Sequence, residues 1–216
     1  GQAQEVNRQK HKVSVLTQGV LAYSGDQSFL GISDEEEVNI YSAETFKLSR
    51  TLEGHTRKVT AISFPADGTH LLSTAEDKYL ILWDYLKGTA EVKVQADDEI
   101  ISGCLIDNNR AAIITENELI VYDLRQQTIL YRKREHLKPM RSLAKSEDGR
   151  VIVTGAGDGK VITYDAATGD VRKVLSGHKG YVRALDVSLD GKLIASGDDN
   201  GLLLISGVED GDPKFM

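Results

Sequence analysis

Residues Gly54 to Asp84 read GHTRKVTAISFPADGTHLLSTAEDKYLILWD, opening on Gly-His and closing on Trp-Asp. Between those dipeptides lie three short apolar runs, Val59 to Phe64, Leu71 to Thr74 and Tyr79 to Trp83. Pro65-Ala-Asp-Gly68 separates the first two and Ala75-Glu-Asp77-Lys78 the last two. Runs of strand length parted by Asp- and Gly-containing turns predict an antiparallel meander, because these residues tolerate the backbone reversal a hairpin needs.

The pattern returns along the chain. Adding 81 to His55, Asp67, Ser73, Asp77 and Trp83 gives His136, Asp148, Thr154, Asp158 and Tyr164. Adding 123 gives His178, Asp190, Ser196, Asn200 and Ser206. Two repeats in the first offset and three in the second mean a unit of roughly 40–42 residues with four strands, the period of a propeller blade. Five units follow, at about 20–52, 54–95, 96–132, 136–175 and 177–216, the third of them the most worn. One meander cannot cover both of its faces, so neighbouring units must stack. Strands apolar at consecutive positions, such as LILW at 80–83 and LLLI at 202–205, fit that stacking. The same offsets place the small residues Ala61, Ser142 and Ala184 where inner strands crowd together.

With the period, the Gly-His and Trp-Asp dipeptides and the four-strand unit in view, the chain resembles a WD40-repeat protein over about residues 13 to 216. The resemblance implies an all-β, WD40-type β-propeller with five recognisable four-stranded blades. It also implies that His55, Ser73, Asp77 and Trp83 form a buried hydrogen-bonded tetrad, repeated as His136, Thr154, Asp158 and Tyr164. Such rings close by letting an N-terminal strand complete the last blade, and Val13 to Leu16 is the candidate closing strand, beside Leu202 to Ile205. Three arrangements remain open: a closed five-blade ring, a five-blade piece of a larger propeller, or a ring completed by a partner. The second is favoured, since Lys214-Phe-Met216 reads as an outer strand cut short.

Composition narrows the function. The net charge is -7 and the pI about 5.3, which argues against a general phosphate-binding surface. The single Cys104 and the lack of an Asn-x-Ser/Thr sequon fit a reducing compartment, cytoplasmic or nuclear rather than secreted. Residues 1–12, GQAQEVNRQKHK, read as a flexible tail or tag remnant without the apolar core of a signal peptide. No aliphatic run approaches the length of a bilayer span, so no membrane partner is expected.

His55, Ser73 and Asp77 share residue types with a serine-hydrolase triad, but the set recurs and no nucleophile elbow accompanies it. Gly155-Ala-Gly157-Asp158-Gly159-Lys160 is followed by Val161 and a strand, whereas a phosphate loop needs Ser or Thr and then a helix. The five histidines lack metal-ligand spacing. Neither catalytic residues nor a metal, cofactor or small-molecule substrate is expected. Arg132, Lys133 and Arg134, with Lys138 and Arg141, form the one dense basic run, placed on a loop between blades and expected on the same face as the acidic Asp34-Glu-Glu-Glu37 turn. Arg57, Lys58, Tyr181 and Arg183 follow blade-opening histidines and complete the partner-binding candidates, Tyr and Arg being favoured hot-spot residues. Tyr122-Asp123-Leu124-Arg125 resembles the Trp-Asp-x-Arg pattern by which some WD40 proteins dock on a cullin-ligase adaptor, through Arg125. The expected function is a non-catalytic protein-interaction scaffold in a multiprotein assembly. A component of a ribonucleoprotein particle, touching RNA through residues 132–141, and a substrate receptor of a cullin-type ubiquitin ligase are the alternatives.

Overall fold

Wherever a turn signal lets the chain reverse, the apolar runs on either side pair as antiparallel strands. The computed structural model describes residues 19–65 and 68–209, together with the backbone of 213–215. Blade 1 consists of β1 (Leu21–Tyr23), β2 (Phe29–Asp34), β3 (Glu37–Ser42) and β4 (Leu48–Leu52). Blade 2 holds β5 (Val59–Ser63), β6 (His70–Ala75), β7 (Tyr79–Asp84) and β8 (Thr89–Gln95). Blade 3 holds β9 (Ser102–Leu105), β10 (Arg110–Ile114), β11 (Leu119–Asp123) and β12 (Thr128–Lys133). Blade 4 holds β13 (Met140–Lys145), β14 (Val151–Ala156), β15 (Lys160–Asp165) and β16 (Val171–Ser176). Blade 5 holds β17 (Val182–Val187), β18 (Leu193–Asp198), β19 (Leu203–Gly207) and β20 (Pro213–Phe215). Within every sheet the strands lie side by side in chain order, the meander expected of a propeller blade.

The repeat extends to backbone detail. Lys78, Gly159 and Gly201 take the same left-handed turn position, with φ of 70°, 72° and 84°. Each donates its N–H to a carbonyl three residues earlier, that of Ala75, Ala156 and Asp198. Lys78 adopts there a conformation that glycine meets without steric cost. A bulge interrupts the inner strands β5, β13 and β17 between Val59 and Ala61, Met140 and Ser142, and Val182 and Ala184.

Stacking buries the apolar faces. Val38, Ile40 and Leu52 of blade 1 meet Leu71, Ile81 and Trp83 of blade 2. The opposite face of blade 2, with Leu72, Leu80 and Leu82, meets Leu105, Ile113 and Ile120 of blade 3. Ile114, Leu119 and Val121 then pack on Ile152, Ile162 and Tyr164, and Val153 and Val161 on Val182 and Ile194. At roughly 25 cal/mol per Å² of apolar area removed from water, these four interfaces supply the main driving force for the fold. Ser142 adds a cross-blade bond, its Oγ donating to the Val182 carbonyl at 2.9 Å.

The two terminal blades differ from the inner three. Leu21 (66 % exposed) and Tyr23 (54 %) stand on the open side of blade 1, and Leu203 (60 %) on that of blade 5. Ala184, expected to be crowded, is exposed there, whereas Ala61 and Ser142 are buried. Among the described residues the first and fifth blades share no interface like those between consecutive blades. The expected closing strand, 13–16, lies outside the described residues, as does Asp67. The edge of β19 at which 13–16 is expected to pair is filled by β20, with Ile205 opposite Phe215 and Ser206 opposite Pro213.

Candidate functional site

Blade 2 brings His55, Ser73, Asp77 and Trp83 into one chain of hydrogen bonds. The Trp83 indole Nε1–H donates to Ser73 Oγ at 2.8 Å, and Ser73 Oγ lies 2.8 Å from His55 Nε2. His55 Nδ1 meets the Asp77 carboxylate at 3.0 Å. Burial holds the His55 imidazole below its ordinary pKa, against the opposing pull of Asp77, so the ring is neutral at pH 7. A neutral ring that donates from Nδ1 accepts at Nε2, which makes Ser73 the donor to His55. Burial alone would raise the Asp77 carboxyl, but N–H bonds from Thr56 (2.9 Å) and Tyr79 (3.0 Å) and the contact with His55 hold it below the usual carboxylate range.

Blade 4 repeats the arrangement. His136 Nε2 lies 2.8 Å from Thr154 Oγ1, and its Nδ1 lies 3.1 Å from Asp158. Asp158 accepts N–H bonds from Leu137 (3.0 Å) and Lys160 (3.1 Å). Tyr164 stands where blade 2 has Trp83, and burial pushes its phenol up to about 12 despite a hydrogen bond with Thr154.

Blade 5 departs from the expected register. His178 Nε2 reaches Ser196 Oγ at 2.8 Å, but its Nδ1 faces Asp198, 3.2 Å away, rather than Asn200. Asp198 occupies the strand-end position of Ala75 and Ala156, two residues before the carboxylate of the other blades. It accepts N–H bonds from Lys179 and Gly180 at 3.3 Å and from Asn200 and Leu202 at 3.0 Å, which hold its pKa down to about 2 against the effect of burial. The signal was present as the run Asp198-Asp199-Asn200, which offers three polar side chains to one turn. Ser206 supplies no indole here, so the polar chain ends at Ser196.

These sets are closed to solvent. Ser73 and Thr154 are 0 % exposed and His55 is 6 % exposed. A hydroxyl with no path to solvent offers a substrate no point of attack. What each set does reach is a loop. The carboxylates of Asp77, Asp158 and Asp198 bind the backbone of Thr56, Leu137 and Lys179, the residues directly after each histidine. Backbone bonds from Val59 to Glu35, Glu76 to Lys58, Met140 to Glu116 and Asp199 to Tyr181 tie those loops to the β2–β3 type of turn, so loops and turns share one face.

The partner-binding candidates divide across that face. Arg57 pairs with Glu76 (3.4 Å) and Glu99 (3.1 Å), and Lys58 next to it has no side-chain partner among the described residues. Arg132 and Lys133 belong to β12 rather than to the expected loop. Arg132 binds Asp97 at 2.5 Å and Glu118 at 3.1 Å, while Arg134 binds Glu118 at 2.7 Å. Glu118, unremarked in the sequence, is 5 % exposed and neutralises most of the basic run from within. Lys133 lies against Gly169 of blade 4, with no ion-pair partner among the described residues. Lys138 is exposed and unpaired among the described residues, beside Leu137, which is 83 % exposed. Arg141 bonds Glu116 at 3.3 Å and lies 6.0 Å from the Tyr181 ring, while Arg183 lies 5.2 Å from the same ring. Arg125 is exposed, but Tyr122 of the same motif is buried in the core at 3 % exposure.

A groove of about 310 Å³ opens among Thr60, Glu76, Glu99, Ile101, Glu116 and Arg141, floored by the buried Ile100. Among the described residues no cluster of His, Cys, Asp and Glu has the form of a metal site. Burial pushes the Cys104 thiol up to about 12, so it carries no nucleophilic thiolate at pH 7. Among the described residues no helix is long and apolar enough to cross a membrane.

The family model described as "WD domain, G-beta repeat" matches residues 46–84, 127–165 and 169–211, together more than half of the chain. Nuclear distribution protein PAC1 of Arthroderma benhamiae is 28% identical over 203 residues, covering 89% of this chain and 39% of its own length. Target of rapamycin complex subunit wat1 of Schizosaccharomyces pombe is 24% identical, covering 88% of this chain and 64% of its own. Guanine nucleotide-binding protein subunit beta of Dictyostelium discoideum is 28% identical, over 70% of this chain and 45% of its own. Among solved structures, the β-propeller domain of Cps50 (Swd1) from Myceliophteria thermophila superposes with a TM-score of 0.79 at 18% identity, over 88% of this chain and 64% of that one. The chain therefore spans less than two thirds of the length of these relatives.

Proposed function

Because the chain belongs to the family of WD-domain, G-beta repeat (WD40) proteins, we propose that it is a non-catalytic scaffold whose loop face holds partner proteins in a multiprotein assembly. One observation carries the reading. Beyond their contacts with the histidines, the buried carboxylates Asp77, Asp158 and Asp198 bind the backbone of exposed loops. Loops fixed in this way lose little conformational entropy when a partner docks, which is how preorganisation raises affinity. Among the described residues the hydroxyl–imidazole pairs of triad type are sealed in the blades. Relatives whose names place them in complexes, the subunit of a rapamycin-target complex and the beta subunit of a guanine nucleotide-binding protein, support the same reading. The compartment that fits is the cytoplasm or nucleus.

Arg57, Lys58, Lys138, Arg141, Tyr181 and Arg183 are the proposed contacts, all on the loop face. Arg132 and Arg134 drop in rank because Glu118 and Asp97 already occupy them, which also weakens the alternative of an RNA-binding particle component. Affinity capture of the tagged protein followed by mass spectrometry tests the proposal. Stoichiometric protein partners, displaced by substitutions on the loop face, are expected. Recovery of the protein alone under gentle salt would overturn it.

A further inference from the structure

Charge on the loop face is split along the Arg141–Glu116 ion pair. Over blades 1 to 3 the exposed side chains are largely acidic: Glu35, Glu36, Glu53, Asp97, Glu99 and Glu116. Across the pair, Lys138, Lys179 and Arg183 are exposed on blades 4 and 5, outnumbering the exposed acids Glu135 and Asp199 beside them. Within a chain of net charge -7 this is a local reversal of sign. Lys138 and Lys179 have no ion-pair partner among the described residues. Arg183 touches Asp199 only at 3.5 Å, with its side chain 54% exposed.

The patch is also rigid. The Tyr181 ring packs against the backbone at Gly157, where an added Cβ would collide with the ring and force it away. Asp199 Oδ1 accepts the Tyr181 N–H at 2.9 Å, and Arg183 and Arg141 flank the ring at 5.2 and 6.0 Å. Leu137 stands beside this patch with its backbone pinned by Asp158. An exposed apolar side chain next to Lys138 is the form of an anchor for a mixed acidic and apolar ligand.

We infer that the loop face of blades 4 and 5 docks a short acidic segment of a partner protein, its carboxylates on Lys138, Lys179 and Arg183 and an apolar side chain against Leu137 and Tyr181. The inference rests on the scaffold reading and names the chemistry of its partner. A protein segment is favoured over RNA because the cationic patch is short. A continuing polyanion would run onto Glu116, Glu99 and Asp97, which already engage Arg141, Arg57 and Arg132 and compete with phosphate for those cations. A protein segment can be acidic for a few residues and then change.

The test is a titration of the full chain with a fluorescein-labelled synthetic peptide in which Asp and Glu flank one leucine. A peptide with Lys in place of every acid and an oligouridine RNA of equal charge are run beside it. The acidic peptide is expected to saturate, with affinity falling as salt rises. Lys179→Glu and Arg183→Glu should each weaken it about tenfold at unchanged melting temperature. Leu137→Ser should weaken it by a smaller factor. Should Arg183→Glu lower the melting temperature, Arg183→Gln takes its place, since it removes the charge without introducing a repulsive one. Equal binding by the variants, tighter binding of the RNA, or preference for the Lys peptide would each overturn the inference. Its failure is separable from failure of the scaffold reading. Captured partners insensitive to both charge reversals would sink the patch alone, whereas recovery of no partner would sink the scaffold.

Discussion

Blades 2 and 3 pack directly on each other yet fasten their loops by different means. Blade 2 runs a buried polar chain from Trp83 through Ser73 and His55 to Asp77, and so to the backbone of Thr56. Blade 3 has no such chain. Ile113 and Val121 fill its centre at 0 % exposure, and an ion network of Glu118, Arg132, Arg134 and Asp97 joins its hairpin to its outer strand and to the loop before it. Both sheets form with the same strand order. The apolar pattern is therefore sufficient to specify the blade, and the polar chain is an addition that positions the loop above it.

That contrast can be broken by substitution, beginning with the largest effect. Ser73→Ala leaves the Trp83 indole and His55 Nε2 buried without partners, and should cost roughly 1–3 kcal/mol of stability in chemical denaturation. In blade 5, Asp198→Ala should lower the melting temperature by less than Ser73→Ala, because His178 keeps Ser196. Asn200→Ala should lower it less again; the reverse order would restore the register expected from the repeat.

Acid should separate the two blades more gradually. His55 and His136 are held neutral below their ordinary pKa, so the unfolded chain takes up protons first as the pH falls. Their contribution is complete above the usual imidazole value near 6.5 and is lost as the pH drops below it. The lowered carboxyls of Asp77 and Asp158 act in the same direction, their share being lost as the pH falls through and below about 4. Hydrogen exchange at pH 7.5 and 5.5 should show protection falling around Thr56 and Leu137 before it falls in β10 and β11. The smallest effect belongs to Glu118→Gln. Arg132 and Arg134 have side chains 35% and 73% exposed and can turn to water, so the loss should stay below about 1 kcal/mol.

The sequence disclosed much of this fold because strand runs and turn residues recur at fixed offsets, and one blade read well enough to find the others. It misled where tertiary context took over. Asn200 sat at the repeat position for a carboxylate, but the side chain that faces His178 belongs to Asp198, and an offset cannot show which of two neighbouring acids bends inward. Arg132 and Arg134 read as a free basic run because their partner Glu118 lies in the turn between β10 and β11, 14 and 16 residues earlier. The Arg141–Tyr181–Arg183 cluster combines residues from two blades, and the sequence named its members without showing that they meet. Ala184 shows the remaining limit: its place in the repeat was legible, but whether another sheet covers it was not.

The central claim is that the polar chains lock the blades while the loop face binds, and one double comparison tests it. Partner capture per folded molecule is measured for Ser73→Ala and Arg183→Glu beside the unsubstituted protein, with melting recorded on the same samples. Ser73→Ala is expected to lower the melting temperature and keep capture per folded molecule, whereas Arg183→Glu should keep the melting temperature and lose capture. Loss of capture by Ser73→Ala at full stability, with Arg183→Glu unaffected, would place function in the buried set and contradict the account.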